Sequence, residues 1–325
     1  SGLTKLLGEE NIITYPFKKS YYGQHDNDYI LDDGKRGLTS EYEAIDPRVG
    51  KPMSIDDIKK VWDDINLVIL GTVRTYGIRA MRELIRELGD KFWQPLIFVE
   101  GEDSDRIWWE LVNEFRPLAY FKREYKKGTQ IQYPRNLGYW PPIIPCPFSA
   151  FDERLPPLKP QKTTNVYSVL GSTHEMRKSV TRSLKEMNLP NSNIWMDNFL
   201  MDINFGRRSN LYGHLDEISK SKIAVSVRGH GADTLRHWEI PLYDTLLFTH
   251  DNGQFHPNPF EDGKTCVLFK NDLSDFKEKL TYYLENDSER ERIAKAGREH
   301  LYKFHTVEKR AKYILEKTEE LRNKK

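Results

Sequence analysis

A chain of 325 residues is long enough for two domains of ordinary size, each able to bury its own core. Apolar residues make up 38% and charged residues 30%, and 50 basic against 49 acidic side chains leave a formal charge of +1. That balance excludes the broadly basic chain that nucleic-acid phosphates select and leaves only a local basic groove to consider. Cys146 and Cys266 stand far apart without metal-ligand spacing, so neither a disulfide framework nor a zinc site is expected, and a reducing, cytoplasmic setting fits best. The first residues lack the apolar run of a secretory signal, and no transmembrane segment of ~18 apolar residues in a row is expected.

In chain order, the first 50 or so residues are rich in Tyr, Asp and Gly and read as a strand with long loops. Beyond them, short branched runs alternate with stretches of helical period. The runs at 66–70 (NLVIL), 95–99 (PLIFV), 165–170 (NVYSVL), 223–227 (IAVSV), 246–249 (LLFT) and 266–269 (CVLF) predict parallel strands covered on both faces. Helices are predicted over 55–64, 78–88, 105–115, 174–187, 211–219, 272–285 and 288–304. This alternation predicts a doubly wound α/β architecture. The stretch 151–164, FDERLPPLKPQKTT, carries three prolines and reads as an extended linker. It divides the chain into an N-terminal domain, 1–155, and a C-terminal domain, 156–305. The remaining 306–325 form a charged amphipathic helix that caps the surface or packs back towards the N-terminal domain.

Residues 223–251, IAVSVRGHGADTLRHWEIPLYDTLLFTHD, carry the most information. A buried strand runs into a turn with Gly229 and Gly231, and Asp233 or Thr234 can cap a helix that follows. Such a turn lets backbone N–H groups approach a pyrophosphate at a positive helix end. Asp233, Arg236 and Glu239 fall at i, i+3 and i+6 and are expected to share a face, with Leu235, Trp238 and Leu242 on the other. Glu239 is an acceptor-only carboxylate suited to both hydroxyls of a ribose diol, and Arg236 and Arg228 carry forked donors suited to phosphate oxygens. The bland alternative is an i,i+3 ion pair of Arg236 with Glu239 on a solvated helix.

From Tyr212 to Arg310 the chain resembles the C-terminal half of the group 1 glycosyltransferases, in particular the spore-maturation-type (CgeB-like) branch. The resemblance rests on GHGADTLRHWEIP, then LLFTHD, then FEDGKTCVLFKNDLSDF and the closing segment with His305, Thr306 and Arg310. It implies a GT-B fold, two Rossmann-like domains facing across a cleft, with the donor nucleotide held mainly by the second. Carried onto this sequence, Glu239 would bind the ribose, and Arg236 with the 229–231 turn would line the diphosphate. Gly171 would lie at the cleft floor and Arg177 would face the phosphates. Gly231 stands where many members carry a second glutamate, eight residues before the first, and Pro241 falls where the family helix continues and predicts a kink.

Other residues have two readings each. In Glu100–Asp105, after the second strand, Glu102 or Asp103 can serve as a general base for an acceptor hydroxyl, or the segment can cap the helix near Asp105. The triplet Asp103-Ser104-Asp105, like Asp26-Asn27-Asp28, also fits the metal clamp of a GT-A transferase. His230 can touch donor or acceptor, whereas His237 reads as surface. Trp93, Trp108, Trp109, Tyr139 and Trp140 either pack cores or line an acceptor cleft. Lys122, Arg123, Lys126 and Lys127 read as a solvated basic edge or, alternatively, as a contact for an acceptor phosphate or nucleic acid. The function expected is Leloir transfer of a sugar, hexosyl in type, from a UDP- or GDP-sugar, with no cofactor and no metal. The acceptor would be a glycan, lipid-linked or protein hydroxyl, with a nucleic acid still open. The alternatives are an inactive glycan- or nucleotide-binding module and the metal-dependent GT-A reading. A Rossmann oxidoreductase is disfavoured because no strand opens into G-x-G-x-x-G.

Overall fold

The computed structural model describes residues 2–16, 50–126, 138–152, 157–159, 161–197 and 211–324. Asp26–Asp28, Lys127, most of the first 50 residues and part of the proline-rich stretch lie outside the described residues. Helix α1 (Gly2–Leu7), the parallel pair β1 (Ile13–Thr14) and β2 (Lys51–Pro52), and helix α2 (Ile55–Lys60) precede the first large sheet. Ser54 caps α2, its hydroxyl accepting from the Asp57 amide at 3.2 Å.

The N-terminal sheet sets β3 (Val68–Leu70), β4 (Leu96–Glu100), β5 (Ala119–Lys122) and β6 (Ile143–Pro145) side by side, all parallel. Helices α3 (Thr75–Leu88) and α4 (Trp109–Phe115) make the crossovers. Because side chains alternate along a strand, Leu96 and Phe98 pack with Met81 of α3 and Phe115 of α4 on one face. Ile97, Ala119 and Phe121 fill the opposite face.

The C-terminal sheet comprises β7 (Thr164–Gly171), β8 (Asn193–Asp197), β9 (Ser221–Val225), β10 (Leu246–His250) and β11 (Val267–Phe269). Its order is β11-β10-β9-β7-β8, again all parallel. Helix α5 (Glu175–Glu186) covers one face with Val180 and Leu184. The other face takes Leu215 and Ile218 of α6 (Leu211–Ser219) and Trp238 of α7 (Leu235–Glu239). Helices α8 (Phe276–Glu285) and α9 (Asp287–Phe304) complete the layer. The winding reverses between β7 and β9, which is where open α/β sheets bind ligands.

After α9 the chain returns. Thr306 caps α10 (Val307–Arg322), and Ile314 and Tyr313 of α10 cover the bare face of the N-terminal sheet against Ile97, Phe121 and Cys146. The two crossings are tied together, with the Ala150 amide donating to the His305 carbonyl at 2.7 Å and the Val307 amide to the Ala150 carbonyl at 2.9 Å.

In the two large sheets, three strands were not expected from the sequence. β5 ends in Lys122, β6 is only three residues long, and β8 is an edge strand that leaves Trp195 exposed. The helix expected from 105 begins at Trp109. The kink expected at Pro241 is real: α7 passes there into a 3₁₀ turn, Ile240–Tyr243. Gly297 of α9 makes that turn's position possible, since a Cβ there would lie 2.5 Å from the Thr265 carbonyl oxygen and 4.0 Å from Pro241. Alanine would gain about 1 kcal/mol in helix propensity, but a clash with rigid backbone costs about 1–3 kcal/mol. Gly297→Ala is therefore expected to lower stability by roughly 1–2 kcal/mol in urea denaturation; an unchanged or raised midpoint would contradict the close approach.

Candidate functional site

All strands of each sheet are parallel, so each sheet has one carboxyl edge, and the loops of the two edges meet. The Glu124 carboxylate, just past β5, accepts from the Ala232 amide at 3.0 Å and the Asp233 amide at 3.1 Å. The Phe148 amide, past β6, donates to Asp233 Oδ2 at 2.6 Å. The Phe255 amide donates to the Tyr125 carbonyl at 2.7 Å, with the two rings edge to face at 6.3 Å.

The Gly229 amide donates to the Gly231 carbonyl at 2.9 Å, closing the turn on itself, and the Ala232 and Asp233 amides are taken by Glu124. The glycines also serve the close approach of side chains. A Cβ on Gly229 would lie 2.7 Å from Nη2 of Arg177, and one on Gly231 would lie 2.5 Å from Glu124 and 2.6 Å from Asp103. His230, between them, is exposed.

Asp233 does not share a face with Arg236 and Glu239. The helix starts only at Leu235 with Thr234 as its N-cap, so Asp233 lies ahead of it, in non-helical chain. Its carboxylate accepts from the Trp238 indole at 2.8 Å and from Phe148, and burial raises it to about 6. Thr234 makes no side-chain cap; its hydroxyl lies 3.2 Å from that of Ser226.

Three arginines gather at the switch point. Arg177, on the first turn of α5, reaches back to the ends of β7 and β9. Its Nε donates to the Arg228 carbonyl at 2.9 Å, and its terminal nitrogens donate to the carbonyls of Gly171 and Val227, each at 3.3 Å. Burial, and then the nearby charge of Arg236, lower it to about 10, while Asp103 across the cleft works the other way. The guanidinium groups of Arg228 and Arg236 make no hydrogen bond or ion pair with any described residue, although the Nε of each is buried. Burial lowers the pKa of Arg236 as well. His250 orders the loop, its Nε2 accepting from the Arg228 amide at 3.3 Å while Nδ1 faces Asn271 Oδ1 at 2.8 Å.

Glu239, at the end of α7, is 6% exposed. His214 Nε2 of α6 lies 3.2 Å from its Oε2, and His214 Nδ1 lies 2.7 Å from the Tyr167 hydroxyl of β7. Neither His214 nor Tyr167 was expected from the sequence. Burial raises the Glu239 carboxyl to about 8, and burial together with Arg236 pushes His214 well down, so the imidazole is neutral.

On the N-terminal side, Glu102 accepts from Arg74 Nε at 2.9 Å, and Asp103 is ion-paired with Arg123. Asp103 remains 55% exposed beside Gly231 and is the carboxylate of this loop that reaches the arginines. Asp105 pairs with Lys126, so both ends of the Asp-Ser-Asp triplet face cations. The expected solvated basic edge is partly wrong. Lys122 is buried against Glu100, and Arg123 is buried between Asp103, Glu124 and the Phe148 ring, 4.3 Å from the guanidinium. His237 is not on the surface but packs between Trp238, His256 and Phe260. Trp108 and Trp109 pack onto the N-terminal core, while Trp93 and Trp140 are exposed.

Residues 172–316 match the family described as "Glycosyl transferase-like". None of the curated proteins matches the chain. Among solved structures it is similar to TarM, with a TM-score of 0.53 at 13% identity over 82% of this chain and 57% of TarM. It is similar to Anabaena Alr3699/HepE in complex with UDP-glucose, with a TM-score of 0.52 at 9% identity over 88% of this chain and 90% of that one. An alpha-glucosyltransferase in complex with UDP and a 13-mer DNA containing a HMU base gives 0.51 at 11% identity over 84% and 85%. The chain spans less than two thirds of the length of TarM. Two parallel sheets meeting at their carboxyl edges, closed by a returning C-terminal helix, define the GT-B class of fold, and this sets aside the GT-A reading of the Asp-Ser-Asp triplet. The family match covers the C-terminal part of the chain, and the fold is of the GT-B class. Among the described residues no helix is long and apolar enough to cross a membrane.

The Glu239 carboxyl gives a pH test. Its folded pKa, about 8, lies above its ordinary 4.5, so its stabilising contribution is complete below about 4.5 and is lost as pH rises towards 8. Neutral His214 acts oppositely, but only below about 6.5. Between pH 6.5 and 8 the wild type is therefore expected to lose about 2 kcal/mol more than Glu239→Gln, followed by thermal unfolding in a pH series. Parallel curves would contradict the buried, protonated carboxyl.

Proposed function

We propose that the chain is a Leloir glycosyltransferase, holding a nucleotide-diphosphate sugar at the β7–β9 switch point and transferring the sugar to an acceptor hydroxyl bound against the N-terminal domain. The observation that carries this is the pair Arg228 and Arg236, whose guanidinium groups have no partner among the described residues. Withdrawing a cation from water costs several kcal/mol unless an anion or acceptors replace the water. A diphosphate supplies that anion, and as its bond to the sugar breaks it gains charge that fixed guanidinium groups stabilise.

In this reading Arg177, Arg228 and Arg236 surround the diphosphate, with Gly171 and the 229–231 turn beneath it and His230 and Thr234 at its margin. Glu239 takes the ribose hydroxyls. Asp233 supports the site by fixing the start of α7 rather than by touching the donor. Asp103 is the better base for the acceptor hydroxyl, since Glu102 lies behind it on Arg74. Transfer is metal-independent, with arginines in place of a metal clamp. HepE and the alpha-glucosyltransferase were solved with uridine nucleotides, which makes UDP the first donor nucleotide to try and GDP the second. The acceptor is a glycan, lipid-linked, protein or nucleic-acid hydroxyl, and the signature segment GHGADTLRHWE favours the spore-maturation-type branch. Two free, buried cysteines fit a cytoplasmic setting.

Calorimetric titration with UDP and GDP in EDTA tests the proposal. A charge-assisted hydrogen bond contributes about 1.5–3 kcal/mol, so Arg236→Ala is expected to weaken the preferred nucleotide roughly 10- to 150-fold. Equal affinity of wild type and variant would overturn the site. Binding without release of nucleotide from any UDP- or GDP-sugar would instead favour the inactive binding module.

A further inference from the structure

The α6 face carries a histidine where an apolar residue would pack. Residues 211, 214, 215 and 218 fall on one helical stripe, and Leu215 and Ile218 of that stripe are buried in the core. His214 sits between two other buried polar groups from different elements, the Tyr167 hydroxyl at 2.7 Å and Glu239 Oε2 at 3.2 Å. The chain is continuous in either tautomer of the neutral ring: with the hydrogen at Nε2, Nδ1 accepts from the phenol and Nε2–H points at Oε2 of Glu239; with it at Nδ1, the ring donates to the phenol oxygen and accepts from the protonated Glu239 carboxyl.

We infer that His214 is a positioning residue: through the chain Tyr167–His214–Glu239 it fixes the rotamer of the Glu239 side chain and so sets how well the site distinguishes a ribonucleotide from a 2′-deoxyribonucleotide. The inference rests on the reading of Glu239 as the ribose ligand. α7 is only five residues long and gives way to a 3₁₀ turn directly after Glu239, so its last side chain gains little orientation from its own helix. The tie to β7, through His214, anchors it to the centre of the sheet. Arg236 and Glu217 are the charged groups that also act on this chain, Arg236 on both Tyr167 and His214 and Glu217 on Tyr167.

The test compares the affinity of UDP with that of 2′-deoxy-UDP for the wild type, Glu239→Ala, His214→Leu, His214→Gln and Tyr167→Phe. The wild type is expected to prefer UDP about tenfold, one good hydrogen bond's worth. Glu239→Ala should abolish the preference. His214→Leu should reduce it to within about twofold of unity while leaving 2′-deoxy-UDP binding unchanged, His214→Gln should restore part of it, and Tyr167→Phe should lower it severalfold. If Glu239→Ala abolishes the preference but His214→Leu and Tyr167→Phe retain it, the positioning role is wrong and the ribose reading stands. If Glu239→Ala retains the preference, the ribose reading fails and takes the inference with it. Equal weakening of both nucleotides by His214→Leu and by Tyr167→Phe would show a packing role only, and would also overturn it.

Discussion

Cationic charge gathered without a counter-ion at the β7–β9 switch point is the constraint on which the rest of this structure turns. Elsewhere three buried cations are matched by carboxylates, Lys122 by Glu100, Arg123 by Asp103 and Glu124, and Arg290 by Asp287, while Arg310 takes the Phe148 carbonyl and the His305 ring. At the β7–β9 switch point the rule is relaxed. Arg177 is satisfied by three carbonyls that are neutral, and Arg228 and Arg236 by no described group at all. The net positive field is concentrated at the carboxyl edge of a parallel sheet, where the loops are free to surround a ligand. A folded chain bears this cost where the missing charge belongs to a substrate.

The N-terminal half supplies the geometry. Glu124 ties the N-terminal carboxyl edge to the start of α7, and α10 clamps the N-terminal sheet from behind. The two glycines of the turn are explained by this docking, since each leaves room for a side chain of the site: Arg177 at Gly229, and Asp103 with Glu124 at Gly231. The position at which the resembled family carries a second glutamate is thus filled here by a carboxylate arriving from the N-terminal half. Glu124 lies where a Gly231 side chain would be.

Legibility in the sequence followed locality. The doubly wound pattern was plain because buried parallel strands such as NVYSVL and LLFTH are continuous apolar runs. β5 was missed because its Lys122 and the following Arg123 look like a solvated edge until Glu100 and Glu124 are brought to them by the fold. Arg236 and Glu239 could be paired by helical spacing, but the same spacing wrongly included Asp233, whose carboxylate lies ahead of the N-cap and turns to Trp238. His237 was misplaced for a similar reason: the polarity of its ring suggested solvent, whereas its neighbours His256 and Phe260 come from a loop twenty residues on. Arg177 was visible only through family resemblance. Tyr167 and His214 could not be assigned at all, since their meeting with Glu239 joins residues 47 and 25 positions apart. One clue was present, a histidine set within the apolar stripe of α6.

The most direct measurement of the central claim is an experimental structure of the protein with UDP bound. The account predicts the diphosphate between the guanidinium groups of Arg228 and Arg236, with Arg177 behind it and a ribose hydroxyl within hydrogen-bond distance of Glu239. A nucleotide seated away from the β7–β9 switch point, or a phosphate held by a metal ion on Asp103 and Asp105 while the arginines turn to solvent, would contradict it.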